Sequence, residues 1–263
     1  MAQRLVVVGG GRMGSALVAG LLSSGWAEPD ELVVSDPDPS ARRRLSEQHS
    51  GLVVTDIVPE VTDVLLAVKP DVAESTCRVL AAQGARRVLS IVAGLATARL
   101  EAALPPDCVV VRAMPNTPSL VGAGVSAISG GHSATSGDLD WAQGVLSAVG
   151  TVVRLPERYL DAVTGLSGSG PAYVFLMAEA LIDAGVAVGL QRDVSRELVV
   201  GTLLGAARLL AETGAEPAVL RAEVTSPGGT TAAGLRTLEY RAVRSAFIEA
   251  VASATERSHQ LGR

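Results

Sequence analysis

The chain has 263 residues, which fits one large domain or two small ones and allows a substantial buried core. Hydrophobic residues make up 48% of it but aromatic residues only 3%, so small aliphatic side chains must fill the interior. The net charge of −5 without a basic run excludes nucleic acid as an expected partner, and two widely spaced cysteines favour a reducing, cytoplasmic compartment without a metal site.

Short apolar runs alternate with helical stretches over the first 155 residues or so, at the spacing of βαβ units. Strands are predicted over residues 5–8, 31–35, 53–54, 64–68, 88–92, 108–113 and 126–129. Helices are predicted over residues 12–24, 39–48, 97–103 and 138–148. Because the strands are apolar throughout, they fit a parallel sheet covered on both faces. Residues 1–155 are therefore predicted to form an α/β domain, a Rossmann-type doubly wound sheet.

From Pro156 onward no segment has the pattern of a strand. Helices are predicted from Pro171 to about residue 185, from an N-cap at Asp193 to about residue 214, from Pro217, from Thr230 and over residues 241–260. Residues 156–263 are thus predicted to form an all-α domain.

The most apolar later stretch, residues 172–190, contains Glu179 and Asp183, so a buried helix explains it better than a membrane span. The mean hydropathy of +0.35 is high for a soluble chain. Either the core is large, or a second subunit covers apolar helix faces.

Residues 9–14, Gly-Gly-Gly-Arg-Met-Gly, fit the G-x-G-x-x-G pattern between a predicted strand and a predicted helix. Gly9 would allow the tight turn, Gly11 would let the backbone approach a pyrophosphate, and Gly14 would let the helix pack close to the strand. The helix N-terminus, with Arg12 and Met13, would offer free N–H groups to the phosphates. The pattern predicts a dinucleotide site.

Asp36 lies at the end of the second predicted strand, where an acid binds the adenosine ribose hydroxyls and disfavours a 2′-phosphate. Arg42, Arg43 and Arg44 follow, and one of them could bind a 2′-phosphate. The two signals favour NADH and NADPH respectively, and the balance leans slightly towards NADH as an accepted donor.

Lys69, in the segment Ala67-Val68-Lys69-Pro70, is the only lysine among 22 Lys and Arg residues. It follows an apolar strand at the edge of the sheet where cofactors bind. Because every other Lys or Arg position is arginine, this lysine indicates a site that the forked guanidinium of arginine would not fit.

Three further segments complete the pattern: residues 112–118 (Arg-Ala-Met-Pro-Asn-Thr-Pro), 167–173 (Ser-Gly-Ser-Gly-Pro-Ala-Tyr) and 224–231 (Val-Thr-Ser-Pro-Gly-Gly-Thr-Thr). Together with residues 67–70, they resemble the pyrroline-5-carboxylate reductase family. The resemblance spans nearly the whole chain in order and spacing, and residues 226–231 are its most specific part.

The resemblance implies a Rossmann domain followed by a helical dimerisation domain, a homodimer that can assemble into a ring of dimers, and reduction of pyrroline-5-carboxylate to L-proline by NADPH or NADH. Some relatives have Ser or Thr where Asp36 stands, which leaves the cofactor preference open. The resemblance also implies two sets of site residues. Those that line the cofactor are Ala67, Val68, Lys69, Pro70, Ala93 and Gly94. Those that bind the substrate are Glu157, Ser226, Gly228, Gly229, Thr230 and Thr231.

Residues 226–231 also have a physical interpretation of their own. Two glycines leave the backbone bare where a helix begins, so consecutive N–H groups can bind a carboxylate. Thr231 is the candidate for a direct catalytic contact, a hydrogen bond between its hydroxyl and the ring nitrogen. A protonated imine is already electrophilic, so neither a metal nor a nucleophile is required.

Two alternatives remain. A β-hydroxyacid dehydrogenase would place a lysine on a helix of the second domain, and this chain has no lysine after Lys69. A non-catalytic dinucleotide sensor would keep residues 9–14 but would not need residues 226–231.

Overall fold

The computed structural model describes residues 3–262. They form two compact units: one contains the chain up to Ser169 together with the C-terminal residues from Ala252, and the other is Gly170–Val251. The single helix α11 (Val243–Leu261) contributes to both. The domain boundary near residue 155 stays a prediction.

The first unit is built on one eight-stranded sheet with the order β3-β2-β1-β4-β5-β6-β7-β8. The strands are β1 (Leu5–Val8), β2 (Leu32–Ser35), β3 (Val53–Thr55), β4 (Asp63–Leu66), β5 (Arg87–Ser90), β6 (Val109–Met114), β7 (Gly124–Gly130) and β8 (Gly150–Arg154). Neighbours from β3 to β6 pair in parallel, β7 is antiparallel to β6, and β8 is parallel to β7. The doubly wound Rossmann-type sheet is confirmed, whereas a wholly parallel sheet is wrong for its last strands.

Helices cover both faces of this sheet. The first unit contains α1 (Arg12–Ser23), α2 (Pro39–Gln48), α3 (Pro70–Ala82), α4 (Thr97–Glu101), α5 (Ser136–Ser147) and α6 (Leu160–Val163), which continues into a π-helical turn, Thr164–Gly168. Side chains of α1, α2 and α5 form one buried cluster with the sheet, and side chains of α3 and α4 form the other. Because the central strands run parallel, their carboxyl ends lie together at one edge of the sheet.

Three elements of this unit, α3, β4 and β8, differ from the prediction. Pro70 starts α3, with Lys69 as the N-cap residue, because proline lacks only an N–H that the first turn does not use. The strand before it ends at Leu66, so Ala67 and Val68 lie outside the sheet. The pattern also missed β8, a mostly exposed strand without a continuous apolar run.

The second unit is entirely helical. It comprises α7 (Gly170–Ala187), α8 (Arg192–Thr213), α9 (Pro217–Glu223), α10 (Thr230–Tyr240) and the first part of α11. Within residues 3–262 no strand follows Arg154, which confirms the all-α prediction. Asp193 was the wrong N-cap, since Gln191 occupies that position and Asp193 lies in the first turn of α8.

The apolar stretch around α7 is not buried in the single chain, contrary to the prediction. No residue of α7 is buried, and Phe175 and Leu176 are 67% and 66% exposed. Among the described residues, one helical stretch, Glu157–Ala187, is long and apolar enough to span a membrane by length and composition alone. An apolar surface of this kind also fits cover by a second subunit.

Candidate active site

The glycine loop joins β1 to α1 with the geometry that a close-approaching ligand requires. Gly9 has φ +106°, and a Cβ there would collide with the carbonyl oxygen of Ala67. A Cβ on Gly14 would collide with the carbonyl oxygen of Gly9, so Gly14 permits the tight packing of α1 against the loop. Gly11, the N-cap residue of α1, has no atom within 4 Å of a built Cβ.

The N-terminus of α1 is open as well. No side chain caps it, no acidic residue lies in its first turn, and Arg12 there is exposed while Met13 is half-buried. Free N–H groups and an exposed backbone suit a pyrophosphate. The residues present therefore fit a dinucleotide, although cofactor binding by Gly9, Gly11 and Gly14 stays a prediction.

Asp36 is tied to the glycine loop. Its Oδ2 accepts a hydrogen bond from the N–H of Gly10 at 2.6 Å, and its Oδ1 accepts one from the N–H of Asp38 at 2.8 Å. A cavity of about 610 Å³ opens beside it, lined in part by Gly11 and Arg12. The carboxylate is thus held next to the space in which an adenosine ribose would lie.

Two of the three consecutive arginines bind backbone carbonyls around Asp36. Nη1 of Arg42 donates to the carbonyl oxygen of Asp36 at 2.8 Å, and Nη2 of Arg44 donates to that of Gly10 at 2.8 Å. Arg43 is exposed. Two of the guanidinium groups are therefore held by backbone carbonyls beside Asp36, and within the described residues neither forms an ion pair with its carboxylate.

The segment Ala67-Val68-Lys69-Pro70 lies against the glycine loop. The N–H of Ala67 donates to the carbonyl oxygen of Val8 at 2.8 Å, which places residues 67–68 beside Gly9. Lys69 and Pro70 are exposed at the start of α3. The structure thus brings together two of the segments that were predicted to line the cofactor.

The third such segment, Ala93 and Gly94, follows β5 at the same edge of the sheet. Ala93 is exposed, and Gly94 adopts φ +72°. The end of α11 lies against it, since a Cβ on Gly94 would be 3.6 Å from the carbonyl carbon of Leu261. The C-terminal turn of the chain therefore supports this loop.

Glu157 is bound by protein groups on both carboxylate oxygens. Its Oε1 accepts from the N–H of Thr97 at 2.7 Å and from Nη1 of Arg112 at 3.1 Å, and its Oε2 accepts from the Thr97 hydroxyl at 2.6 Å. Burial raises the pKa of Glu157, but the hydrogen bonds from Thr97 and Arg112 outweigh it and lower the pKa below its ordinary value. The side chain is held as a carboxylate.

Three residues without a predicted individual role make hydrogen bonds that shape the site: Thr97, Arg112 and Asn116. The amide of Asn116 donates to the carbonyl oxygen of Ser167 at 3.1 Å and accepts from the N–H of Val125 at 2.9 Å. It thereby connects the 112–118 motif to the 167–173 motif. The motif itself was the available signal for Arg112 and Asn116, whereas nothing marked Thr97.

Residues 226–231 belong to the helical unit and lead into α10, which begins at Thr230. Gly228 has φ +71°, and the N–H of Gly229 donates to the carbonyl oxygen of Ser226 at 3.0 Å. A Cβ on Gly229 would collide with the Ser226 hydroxyl. Gly229 is the N-cap residue of α10, and no side chain caps this helix.

The threonines of this loop begin α10. Thr230 is exposed and Thr231 half-buried, and within residues 3–262 neither hydroxyl has a protein partner. An open helix N-terminus with two free hydroxyls can bind an anion. Direct contact with a substrate stays a prediction.

The chain also matches known families and proteins. Residues 157–261 match a family described as pyrroline-5-carboxylate reductase dimerisation, and residues 4–94 match one described as NADP oxidoreductase coenzyme F420-dependent. The chain is 46% identical to a pyrroline-5-carboxylate reductase of Synechocystis sp., with 100% of both sequences covered.

Two solved structures are similar over the full length. A pyrroline-5-carboxylate reductase from Coxiella burnetii has 33% identity and a TM-score of 0.91, with 100% of both chains covered. A pyrroline carboxylate reductase from Plasmodium falciparum with NADP bound has 31% identity and a TM-score of 0.84, with 98% of this chain and 99% of that chain covered. This chain therefore belongs to the pyrroline-5-carboxylate reductase family, as its motifs predicted.

Proposed function

We propose that residues 226–231 hold the carboxylate of 1-pyrroline-5-carboxylate while its C=N bond is reduced. As a member of its family, the chain is an NAD(P)H-dependent oxidoreductase that acts on this imine and forms L-proline in proline biosynthesis. Membership also decides against the β-hydroxyacid dehydrogenase alternative. The observation that carries the proposed residue roles is the uncapped N-terminus of α10, with the free hydroxyls of Thr230 and Thr231 beside it.

The cofactor is proposed to bind along the carboxyl edge of the sheet. Gly9, Gly11 and Gly14 give it access to the N-terminus of α1, and Ala67, Val68, Lys69, Pro70, Ala93 and Gly94 continue along the edge. When bound, it supplies the hydride that reduces the C=N carbon. Asp36, beside the adenosine cavity, favours NADH as an accepted donor, because a fixed carboxylate repels a 2′-phosphate.

The protein's part in the reaction is to bind and orient. N–H groups at the start of α10, with the hydroxyls of Ser226 and Thr230, would hold the substrate carboxylate. The Thr231 hydroxyl oxygen would accept a hydrogen bond from the ring N–H, which is present in the reactive protonated imine and remains in the amine of proline. Holding the reacting atoms in line is sufficient, because the iminium carbon is already electrophilic.

The chain forms a homodimer through its helical region. A ring of dimers and a cytoplasmic location are proposed from the resemblance. The large exposed apolar surface of α7 and α8 supports burial against a second copy, since isolated chains rarely leave such a surface to water.

A reductase assay with pyrroline-5-carboxylate and each cofactor in turn tests the function. We expect Thr231→Ala to lower kcat/KM about 10- to 100-fold, the size expected for losing one hydrogen bond to a charged group. Thr237→Ala is the matched control on α10, because that hydroxyl already donates to the carbonyl oxygen of Ala233. Full activity of Thr231→Ala would remove Thr231 from the site.

The carboxylate-binding role has its own test. The unsubstituted imine 1-pyrroline offers the same C=N bond without the carboxylate, so the wild type should reduce it with a far lower kcat/KM. Equal efficiency on both imines would show that residues 226–231 do not bind the acid group.

A further inference from the structure

Glu157, Thr97 and Arg112 form a connected cluster, termed here the clasp. Its three hydrogen bonds measure 2.6 to 3.1 Å. Thr97 and Arg112 are 5% and 6% exposed, and Glu157 is half-buried. The only carboxylate that pairs with Arg112 among the described residues is Glu157.

The clasp lies at the carboxyl edge of the sheet. The strand register forms a continuous row from Val8 through Leu66 and Ser90 to Arg112. Val8 directly precedes the glycine loop, so the clasp lies at the same edge as the loop, three strands away. With Asp36 after β2 marking the adenosine side, the nicotinamide half of a dinucleotide extends towards β4 and β5.

The clasp holds one end of the loop that crosses this region, residues 91–96. At the other end, the Ser90 hydroxyl accepts a hydrogen bond from the N–H of Val92 at 3.3 Å. Between these anchors lie Ala93 and Gly94, which the resemblance implies as cofactor-lining residues. The position of the loop therefore depends on Thr97, and the position of Thr97 depends on Glu157.

A direct contact of Glu157 with the substrate fits these observations less well. Both carboxylate oxygens already accept hydrogen bonds, and the carboxylate balances the charge of a nearly buried arginine. Moving Glu157 to bind a substrate would leave Arg112 buried without its counter-ion, which is costly.

We propose that Glu157 is a positioning residue, which acts through Thr97 to hold the 91–96 loop where the nicotinamide half of the cofactor binds, and which does not touch the substrate. The inference rests on the proposed function, because the cofactor gives the loop its role. A loosened loop lets the reacting carbon atoms drift apart, and small misplacements are costly in rate.

Glu157→Gln tests the proposal because it keeps the shape but removes the charge and places an amide N–H2 among donors. We expect kcat to fall about tenfold or more while KM for pyrroline-5-carboxylate stays within about twofold. Thr97→Ser should keep a kcat near that of the wild type, since it retains the hydroxyl. Thr97→Val loses the hydroxyl but keeps the N–H, so its kcat should lie between those of the wild type and Glu157→Gln.

Asp63→Asn provides the matched control. Asp63 pairs with Arg87 at 2.7 Å in the same sheet, and its side chain is about as exposed as that of Glu157, but the pair lies at the amino ends of β4 and β5. Because Arg87 is more exposed than Arg112 and also pairs with Asp138 at 3.7 Å, this variant should lose less stability, and it should keep kcat. Equal losses of kcat in Glu157→Gln and Asp63→Asn would show that the clasp is only a stabilising ion pair, and would overturn the proposal. A Glu157→Gln variant with unchanged kcat and a much higher KM for the substrate would overturn it as well.

Amide hydrogen exchange gives a readout without cofactor. Exchange at residues 93–97 should accelerate in Glu157→Gln and not in Asp63→Asn. If the wild type failed to reduce pyrroline-5-carboxylate, the proposed function would fail, and the exchange rates would still decide whether Glu157 fixes the loop. Unchanged exchange in Glu157→Gln would overturn the inference on its own.

Discussion

The two units of this chain differ most in where their apolar side chains lie. Every hydrophobic side chain that is buried in the described chain belongs to the first unit, from Leu5 to Leu160. In the helical unit Ser195 is the only buried residue, while apolar side chains such as Phe175, Leu176 and Leu198 are more than half exposed. The first unit has a complete core of its own, and the second does not.

This difference in burial explains why the hydrophobic patterns of the two halves of the sequence differ. Apolar strands and amphipathic helices pack on each other within the first unit, so its pattern predicts its own fold. The helices of the second unit are apolar on several sides, which is typical of segments buried in a larger assembly. Its stability therefore depends on a second copy.

Placing charges on α7 should have the largest effect, because the helical unit depends on a second copy. Phe175→Asp with Leu176→Asp removes about 2–3 kcal/mol of burial per side chain and adds the cost of burying carboxylates. We expect a monomer with at least about 100-fold lower activity, measured by light scattering after size exclusion and by reductase assay. The control Val53→Asp with Val79→Asp places the same two charges on half-exposed apolar positions of the first unit and should stay dimeric. A dimeric α7 variant would show that α7 is not at the interface.

Substitutions in the glycine loop act within the first unit, which has a core of its own. Gly14→Ala forces a methyl group onto the Gly9 carbonyl and should cost about 1–3 kcal/mol of stability along with cofactor binding. Gly11→Ala has open space around it and a φ of −67°, so stability should hold while NADH binding weakens by about tenfold or more. Thermal unfolding and NADH fluorescence titration separate the two effects. Normal NADH affinity in Gly11→Ala would contradict the predicted role of that residue.

Local patterns predicted the class of each unit and most of its elements, and they failed where context decides. No helix was predicted after the strand over residues 64–68, but Pro70 begins α3, since proline suits a first helical position. Most residues of β7 are buried, as in the parallel strands β4 to β6, so its antiparallel direction could not be predicted from its sequence. Asp193 looked like an N-cap, and only the backbone places Gln191 there.

The candidate site divides in the same way. The glycine loop and residues 226–231 are contiguous motifs, and their geometry could be expected from spacing. The bond between Thr97 and Glu157 joins residues 60 apart in the chain, and no local pattern encodes it. The resemblance implies that Glu157 binds the substrate, but only the structure shows that both of its carboxylate oxygens already accept hydrogen bonds from Thr97 and Arg112.

Acid should weaken the first unit through the clasp. The folded pKa of Glu157 is lowered, so its stabilising effect is complete above the ordinary glutamate pKa of about 4.3 and is lost as the pH falls through the lower folded value. The difference in unfolding free energy between wild type and Glu157→Gln should be on the order of 1–3 kcal/mol at pH 7 and shrink in acid. Urea unfolding at several pH values measures it. A difference that stays constant down to pH 3 would contradict a bound carboxylate.

The smallest expected effect tests the independence of the first unit most directly. Cys77 and Cys108 are 0% and 2% exposed, and burial raises the pKa of each thiol to about 11, so a disulfide reagent reaches them only when this unit opens. Leu80→Ala removes a fully buried side chain from the same cluster and should accelerate labelling about 30-fold or more, in line with a loss of about 2–5 kcal/mol. The monomeric Phe175→Asp, Leu176→Asp variant should label within about twofold of wild type, because the core around both thiols needs no second copy. If the monomeric variant were labelled as fast as Leu80→Ala, the second copy would stabilise the first unit too. The two units would then differ in where their apolar side chains are buried, but both would need the dimer to fold stably.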